Sequence, residues 1–479
     1  MRLIWICLTE FNKRGRTYMY AAGIDIGTTS ICCVIADTNT GAKVNVLEKP
    51  NDAALPSLNG WDRTQDTDRI VEVVEGIIGE LAAGWGSVGA IGISCQMHGM
   101  LYVDVHGRAV SPLFTWQDRR GDLLFNESMT YAAYMQEKTG YALASGYGLV
   151  THFYHMHHQL VPPEAVYLCT IGDYVAMRLC GLSVPQIDAS NAASFGLFDL
   201  AAGQFDLAKI EELGMNPGML PPVAGAEAAA GMTKDGKLVA CAIGDNQASF
   251  LGSVPSLEQS MLVNIGTGAQ ISVYSETPEA DPGAEIRPFP GGGYLLVGAS
   301  LGGGKTYALL EALFREICES FADAPPASRS FYERMNELAE EALREDEPPL
   351  RVSAHFFGSR QNPDLTGAIS GINDRNFTAR QLILGFLAGM ADELLGFAES
   401  FPERLRSRIT TVAASGNGVR KNRVMQQLLH AKLGHPVYLS AIEEEAALGA
   451  ALFAGVMGRL FPDRSAAISC FQRSEANDA

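Results

Sequence analysis

Two stretches of the chain share one pattern of apolar and polar positions. Residues 21–26 read as a strand, Gly27-Thr28-Thr29-Ser30 as a tight polar turn, and the apolar run 31–36 as a second strand. Much later Leu262-Val263-Asn264-Ile265 runs into Gly266-Thr267-Gly268 and then into the apolar stretch 269–273, which is the same construction. Laid over each other, Asp25-Ile-Gly-Thr-Thr matches Asn264-Ile-Gly-Thr-Gly at an offset of 239 in a chain of 479 residues. Two related halves are the simplest explanation.

The rest of the pattern alternates α and β. Ile70, Val73, Val74, Ile77, Ile78 and Leu81 recur at helical spacing, and 89–94 then reads as a short buried strand. In the second half 309–314, 331–343, 379–397 and 423–433 read as helices, and 410–414 as a strand closing on Ser415-Gly416-Asn417-Gly418. The Pro-containing stretches 322–327 and 344–349 read as loops. Val254-Pro255-Ser256 breaks the alternation and sets a boundary near 252–257. The expected division is therefore an extension 1–18, domains 19–254 and 255–461, and a tail 462–479.

Composition narrows the function. With 47% hydrophobic and 19% charged residues the chain is globular and long enough for two cores. Thirty-six Lys and Arg against 54 Asp and Glu leave a net charge of -18, which repels nucleic acid and anionic membranes. An anionic ligand then needs local devices: backbone N–H groups, a helix N-terminus or a metal ion. The nine Cys are odd in number, form no CxxC pair and mostly sit in apolar runs, so buried reduced thiols and a cytoplasmic location are expected. No apolar stretch approaches the ~20 residues that span a bilayer. In the greasy segment 3–8 Glu10 follows closely and no cleavage site is seen, so a signal peptide is not expected.

Each chemical motif has a plain structural alternative. The turn at Asp25 fits an ordinary hairpin tip, or a carboxylate that holds Mg²⁺ through water while Gly27, Thr28 and Thr29 meet phosphate oxygens; the second turn, Gly266-Thr267-Gly268, favours phosphate, which is best cradled from two sides. Gly302-Gly303-Gly304-Lys305-Thr306 resembles the end of a P-loop, but GxxxxGK[ST] needs Gly at 299, where Ala stands. The glycines can still let the start of a helix at 307–314 approach a nucleotide. Asp245, just after the apolar stretch 238–243, fits a general base at a strand end and equally a helix N-cap. Gln96-Met97-His98 and Trp116-Gln117-Asp118-Arg119-Arg120 supply the amide, imidazole, carboxylate, guanidinium and indole that a sugar site uses, or simply a polar loop anchored by Trp116. His152, His155, His157 and His158 lack Cys partners at zinc spacing and read as structural.

Taken in order, Asp25-Ile-Gly-Thr-Thr, Gln96-Met-His-Gly, Trp116-Gln-Asp-Arg, Gly244-Asp245-Asn-Gln, Ile265-Gly-Thr-Gly and Ser415-Gly416-Asn417-Gly418 resemble the FGGY carbohydrate kinases, from about residue 23 to about 457. That resemblance implies two related α/β domains of the actin, Hsp70 and sugar kinase (ribonuclease H-like) type, with ATP and sugar meeting in an interdomain cleft. It further implies Asp245 as catalytic base and Asp25 as anchor of Mg²⁺ through water. Gly27, Thr28, Thr29, Gly266, Thr267 and Gly268 would face phosphates, Gly416, Asn417 and Asn422 would border adenosine with Gly303, and Gln96, Met97, His98, Trp116, Asp118, Asp245 and Asn246 would face the sugar. Arg119-Arg120 stands where the family often has Gly-Arg. The stretches 171–185, 188–196 and 299–304 resemble the branch acting on sedoheptulose, with D-xylulose as the alternative sugar; a sugar-responsive regulator without catalysis is the alternative of another class. The implied partners are a small sugar and MgATP, with the assembly open between monomer and homodimer.

Overall fold

The computed structural model describes residues 19–225, 229–280, 283–321, 330–345, 350–359, 362, 364–440 and 442–477. The expected extension 1–18, the expected loop 322–327, residues 346–349 of the other expected loop, and Cys7 lie outside the described residues. Two compact units result: the chain up to Gly252 together with the chain from Glu444 onward, and Ser253–Glu443.

The first unit is built on a seven-stranded sheet. Its hairpin pairs Tyr20–Ile26 with Ser30–Asp37 antiparallel, Ile26 opposite Ile31, so the Gly-Thr-Thr turn sits at the tip. Lys43–Pro50 continues the sheet antiparallel on one side, and Val88–Cys95 lies parallel to Tyr20–Ile26 on the other. Leu238–Ala240 and the short Ile243–Gly244 both run parallel beside Val88–Cys95, Ile243 opposite Ser94, which carries the chain to Asp245. Ile24, Ile26, Ile31, Ile35, Ile91 and Ile93 are fully buried. A sheet covered on both faces is apolar continuously rather than alternately, which is why these strands read as apolar runs.

Helix Thr67–Glu80 packs on the hairpin side and starts three residues before Ile70, the first of its apolar positions, because Asp66 caps it by accepting from the amides of Asp68 and Arg69. The other covering helix, Glu445–Met457, comes from the far end of the chain and packs on Tyr20–Ile26 and Val88–Cys95. A Cβ on Gly23 would stand 1.8 Å from the Ala447 carbonyl oxygen and one on Gly92 1.9 Å from that of Ala450. Only glycine lets a helix rest this closely on strand backbone. The first unit thus uses two chain segments, where the sequence reading divided the chain in simple order at 254.

The second unit repeats the plan. Ser260–Ile265 pairs antiparallel with Ala269–Ser275, which pairs antiparallel with Tyr294–Ser300; Thr411–Ser415 lies parallel to Ser260–Ile265 and Val437–Leu439 parallel to Thr411–Ser415. This is the strand order of the first sheet, and it accounts for the repeated hairpin motif. Helix Ala379–Glu399 fills the middle of the unit, with Ile383, Leu387 and Leu394 at 0–1% exposure. Contrary to the expectation that nothing approaches a membrane-spanning length, this helix is long and apolar enough to cross a bilayer; 61% of its apolar window is buried inside the fold, as in the core helix of a globular unit. Among the described residues all eight Cys are free thiols, and Cys32, Cys33, Cys95, Cys169 and Cys241 are buried.

Candidate active site

In the first unit the hairpin tip is held from three sides. Gly27 N–H donates to the Ser30 carbonyl at 3.0 Å and the Asn51 amide donates to the Gly27 carbonyl at 2.8 Å, closing the turn. Thr28 lies in a ring of hydrogen bonds: its hydroxyl donates to Gln96 Oε1 at 3.3 Å, Gln96 Nε2 donates to Gln65 Oε1 at 2.9 Å, and Gln65 Nε2 donates to the Thr28 carbonyl at 2.8 Å. Trp116, 47% exposed, donates its indole N–H to Thr28 Oγ1 at 3.1 Å, while Thr29 is exposed. Asp25 sits one strand position before the tip, where Ser94 Oγ donates to its Oδ1 at 2.8 Å. Burial pushes the Asp25 carboxyl above its ordinary pKa, the Ser94 hydroxyl opposes this, and the Glu48 carboxylate adds to the rise.

Trp116 is aimed by groups behind it. Asp118 is fully buried, takes Arg120 Nε and Nη2 at 2.6 and 2.8 Å, and accepts Arg63 N–H at 3.0 Å. Of the two arginines, Arg120 is therefore the partner of Asp118; Arg119 is exposed and pairs with Asp122 at 2.9 Å. The Arg120 guanidinium also lies 4.4 Å from the Phe114 ring centroid and donates from Nη1 to His155 Nε2. Since Arg can only donate, His155 must carry its proton on Nδ1, which reaches Tyr102 Oη at 3.1 Å; Tyr102 O–H then faces His152 Nδ1 at 2.8 Å. Burial lowers both imidazole pKa values, His152 to about 4, and Arg120 adds to the effect at His155, so both rings are neutral. His152 and His155 thus back Arg120 and, through it, Asp118, while His157 Nδ1 lies 3.0 Å from the Phe153 carbonyl and His158 Nε2 2.9 Å from the Tyr131 hydroxyl.

Helix Ala189–Phe195 braces the strand end that carries Asp245. Ser190 Oγ accepts Gly244 N–H at 3.1 Å, and Asn191 Nδ2 donates to the Ala242 carbonyl at 2.9 Å. The same helix holds His98: Ser194 Oγ accepts His98 N–H at 3.1 Å and the Ser194 carbonyl lies 2.8 Å from His98 Nδ1. That carbonyl requires a proton on Nδ1. His98 adopts φ 72°, uncommon outside glycine, with its ring stacked on Tyr147 at 4.4 Å. Met97 is buried against Gly244, and Asn246 is buried in the first turn of helix Asp245–Ser253. The structure thus brings Met97, His98 and the Gly244-Asp245-Asn246 turn around one short helix, and Gln96, Thr28 and Trp116 into one hydrogen-bonded group. Gln65, Ser190 and Ser194 were missed in the sequence; they lie in a two-residue strand and a seven-residue helix, too short for a periodic signal.

In the second unit Gly266, Thr267 and Gly268 are all exposed at their hairpin tip. Gly302 stands just before helix Gly303–Phe321, while Gly303 and Gly304 belong to its first turn, joined to the hairpin by Gly304 N–H to the Gly266 carbonyl at 2.9 Å and Lys305 N–H to the Thr267 carbonyl at 3.0 Å. A Cβ on Gly303, at φ +45°, would stand 2.1 Å from the Gly268 carbonyl carbon. Gly416 lies against the base of the same hairpin, and Asn417 is exposed at the start of helix Asn417–Arg420. Asn422 is engaged inside the fold: its side chain caps helix Arg423–Leu433 by accepting Met425 N–H at 2.9 Å and donates to Asn336 Oδ1 at 3.0 Å.

Comparison with known proteins places the chain in a family. The model of the FGGY carbohydrate kinase N-terminal domain matches residues 20–252 and that of the C-terminal domain residues 261–458. A sedoheptulokinase of Mus musculus is 26% identical over 475 residues, covering 90% of this chain and 96% of that protein. Among solved structures, the xylulose kinase of Rhodospirillum rubrum superposes with a TM-score of 0.78 at 21% identity over 96% of both chains, and the glycerol kinase of Plasmodium falciparum with ADP with a TM-score of 0.77 at 18% identity over 95% of this chain and 92% of that one. With both domain models matched in order across most of its length, the chain belongs to the FGGY family of carbohydrate kinases.

Proposed function

We propose that the protein transfers the terminal phosphoryl group of ATP to the primary hydroxyl of a ketose, converting sedoheptulose to sedoheptulose 7-phosphate. The observation that carries this reading is the brace formed by helix Ala189–Phe195, which fixes His98 on one side and the Gly244-Asp245 strand end on the other. Asp245 accepts the proton of the attacking hydroxyl, and Asn246, Gln96, Met97, His98 and Trp116 orient the sugar. Asp118 acts through Arg120 and Arg63, holding the Trp116 loop. Thr28, Thr29 and Gly27 on one hairpin and Gly266, Thr267 and Gly268 on the other offer N–H groups and hydroxyls to the β- and γ-phosphates; Gly303, Gly416 and Asn417 border the adenosine, with Asn422 positioning the helix behind them. The choice of a seven-carbon sugar is supported by the likeness to a sedoheptulokinase along nearly its whole length.

The residues fit Mg²⁺ held through water rather than in a protein cage. Among the described residues no three His, Cys, Asp or Glu side chains converge. Asp25 offers a single carboxylate, with Oδ1 taken by Ser94. When bound, the ion neutralises phosphate charge that Asp25 would otherwise oppose.

The test is turnover of purified protein with MgATP on sedoheptulose, D-xylulose, glycerol and gluconate. kcat/KM for sedoheptulose should exceed that for D-xylulose by at least ~10-fold, the effect of one unpaired hydrogen bond. A preference for xylulose moves the substrate assignment; no turnover of any sugar, with binding retained, turns the reading to a sugar-responsive regulator.

A further inference from the structure

The Gly-Gly-Gly-Lys-Thr run is not a P-loop, yet it places a lysine at the candidate phosphate turn. Lys305 is exposed in the first turn of the 19-residue helix Gly303–Phe321. Its own backbone N–H is 3.0 Å from the Thr267 carbonyl, so its Cα stands beside the tip of the hairpin. A lysine side chain reaches about 6 Å from Cα, enough for Nζ to sweep the space over Gly266, Thr267 and Gly268. Among the described residues Lys305 has no carboxylate partner; Nζ rests 5.9 Å from the centroid of the Phe357 ring, which is itself 40% exposed. Thr306, which in a P-loop would turn its hydroxyl to the metal, is fully buried, so the likeness to that loop ends at the lysine.

We infer that Lys305 is a phosphate-binding residue of the second unit, swinging from the Phe357 ring to pair with a non-bridging phosphate oxygen of the bound nucleotide. The inference rests on the reading of Gly266-Thr267-Gly268 as a phosphate turn. The contact to the ring is a weak cation–π interaction at an exposed site, whereas a charge-assisted hydrogen bond to phosphate is among the stronger pairings available to an ammonium group, so the exchange is favourable when the anion arrives. The helix N-terminus adds its positive end in the same place, and the Lys305 amide is already committed to Thr267, so the side chain rather than the backbone of this residue is the group on offer.

Calorimetry of the full chain with MgATP, MgADP and adenosine tests this in K305M, K305R and T267A. K305M should weaken MgATP and MgADP by at least about 10-fold and leave adenosine unchanged, with K305R restoring binding to within about 3-fold, because the lost term is a charge and not a packing contact. The dependence of MgATP affinity on salt should be shallower in K305M. Unchanged MgATP affinity in K305M overturns the inference, as does an equal loss for adenosine, which would mark a structural role through Phe357. If T267A weakens MgATP while K305M does not, only the lysine assignment fails; if neither variant affects any nucleotide, the phosphate-turn reading fails with it.

Discussion

Replacing Arg120 by Met tests what holds the Trp116 loop. Asp118 has no exposed surface and Arg120 is 4% exposed, so solvent screens neither charge. Removing the guanidinium strands a buried carboxylate that had taken two donors at 2.6 and 2.8 Å, at a cost of about 3–5 kcal/mol. Against a total stability of roughly 5–15 kcal/mol this is severe, and at about 2–4 °C per kcal/mol for a unit of this size it lowers Tm by roughly 10 °C. The double variant D118N/R120M removes both charges and should regain at least about 2 kcal/mol relative to the sum of the two single variants, as buried pairs replaced together often do. R119A is the internal control: its pair with Asp122 is largely exposed, and Tm should move by no more than about 2 °C. Thermal and urea unfolding followed by tryptophan fluorescence reads all of this, since Trp61, Trp85 and Trp116 lie in the first unit. If R120M melts with the wild type, or if the double variant falls at the sum of the singles, the buried pair does not hold the loop.

Three further outcomes are expected. Asp245→Asn should leave sugar and MgATP affinities near wild type by calorimetry while lowering kcat by at least ~10²-fold, the contribution of a positioned base; near-normal turnover refutes that role. Burial raises the Asp173 carboxyl to about 8, so the native state keeps a proton that the unfolded chain gives up at the ordinary 3.8, and this group makes stability fall as pH rises from about 4 to about 8. D173N, which can still accept the Thr170 N–H in the capping box, should flatten that slope in urea titrations, and identical pH profiles for the two proteins would contradict it. A chain ending at Glu444 lacks the helix that covers Gly23 and Gly92; its tryptophans should report a first unit without a cooperative transition and it should bind the dye ANS, whereas a normal melt would show that helix to be dispensable.

How much of this was legible in the sequence depended on the physical signal each part leaves. The two hairpins were, because an apolar strand, a Gly-Thr turn and a second apolar strand form a local pattern that no tertiary partner has to complete. The helices Phe331–Leu343 and Arg423–Leu433 begin and end where their apolar spacing predicts, since each presents one buried stripe. Helix Gly303–Phe321 starts four residues before the expected 307, because glycine argues against a helix locally while the approach of Gly303 and Gly304 to the hairpin backbone demands it. Asn422 was named for a place beside the adenosine, and only the structure shows that its side chain also caps helix Arg423–Leu433, for an Asn before a helix has the same spelling in either role. Asp118 was found as part of a motif, but only the structure gives its direction, inward to Arg120.

The crossing of chain termini over the first sheet also sets the order in which the protein can be made. Ser253–Glu443 is one continuous stretch and has all its strands once residue 439 has left the ribosome. The first unit, although its strands are synthesised earlier, must wait with the face around Gly23 and Gly92 bare until residues 445–457 emerge. During that interval it carries an apolar sheet surface that is open to wrong partners, including the same surface of another nascent chain. The half of the protein made first is therefore the half completed last.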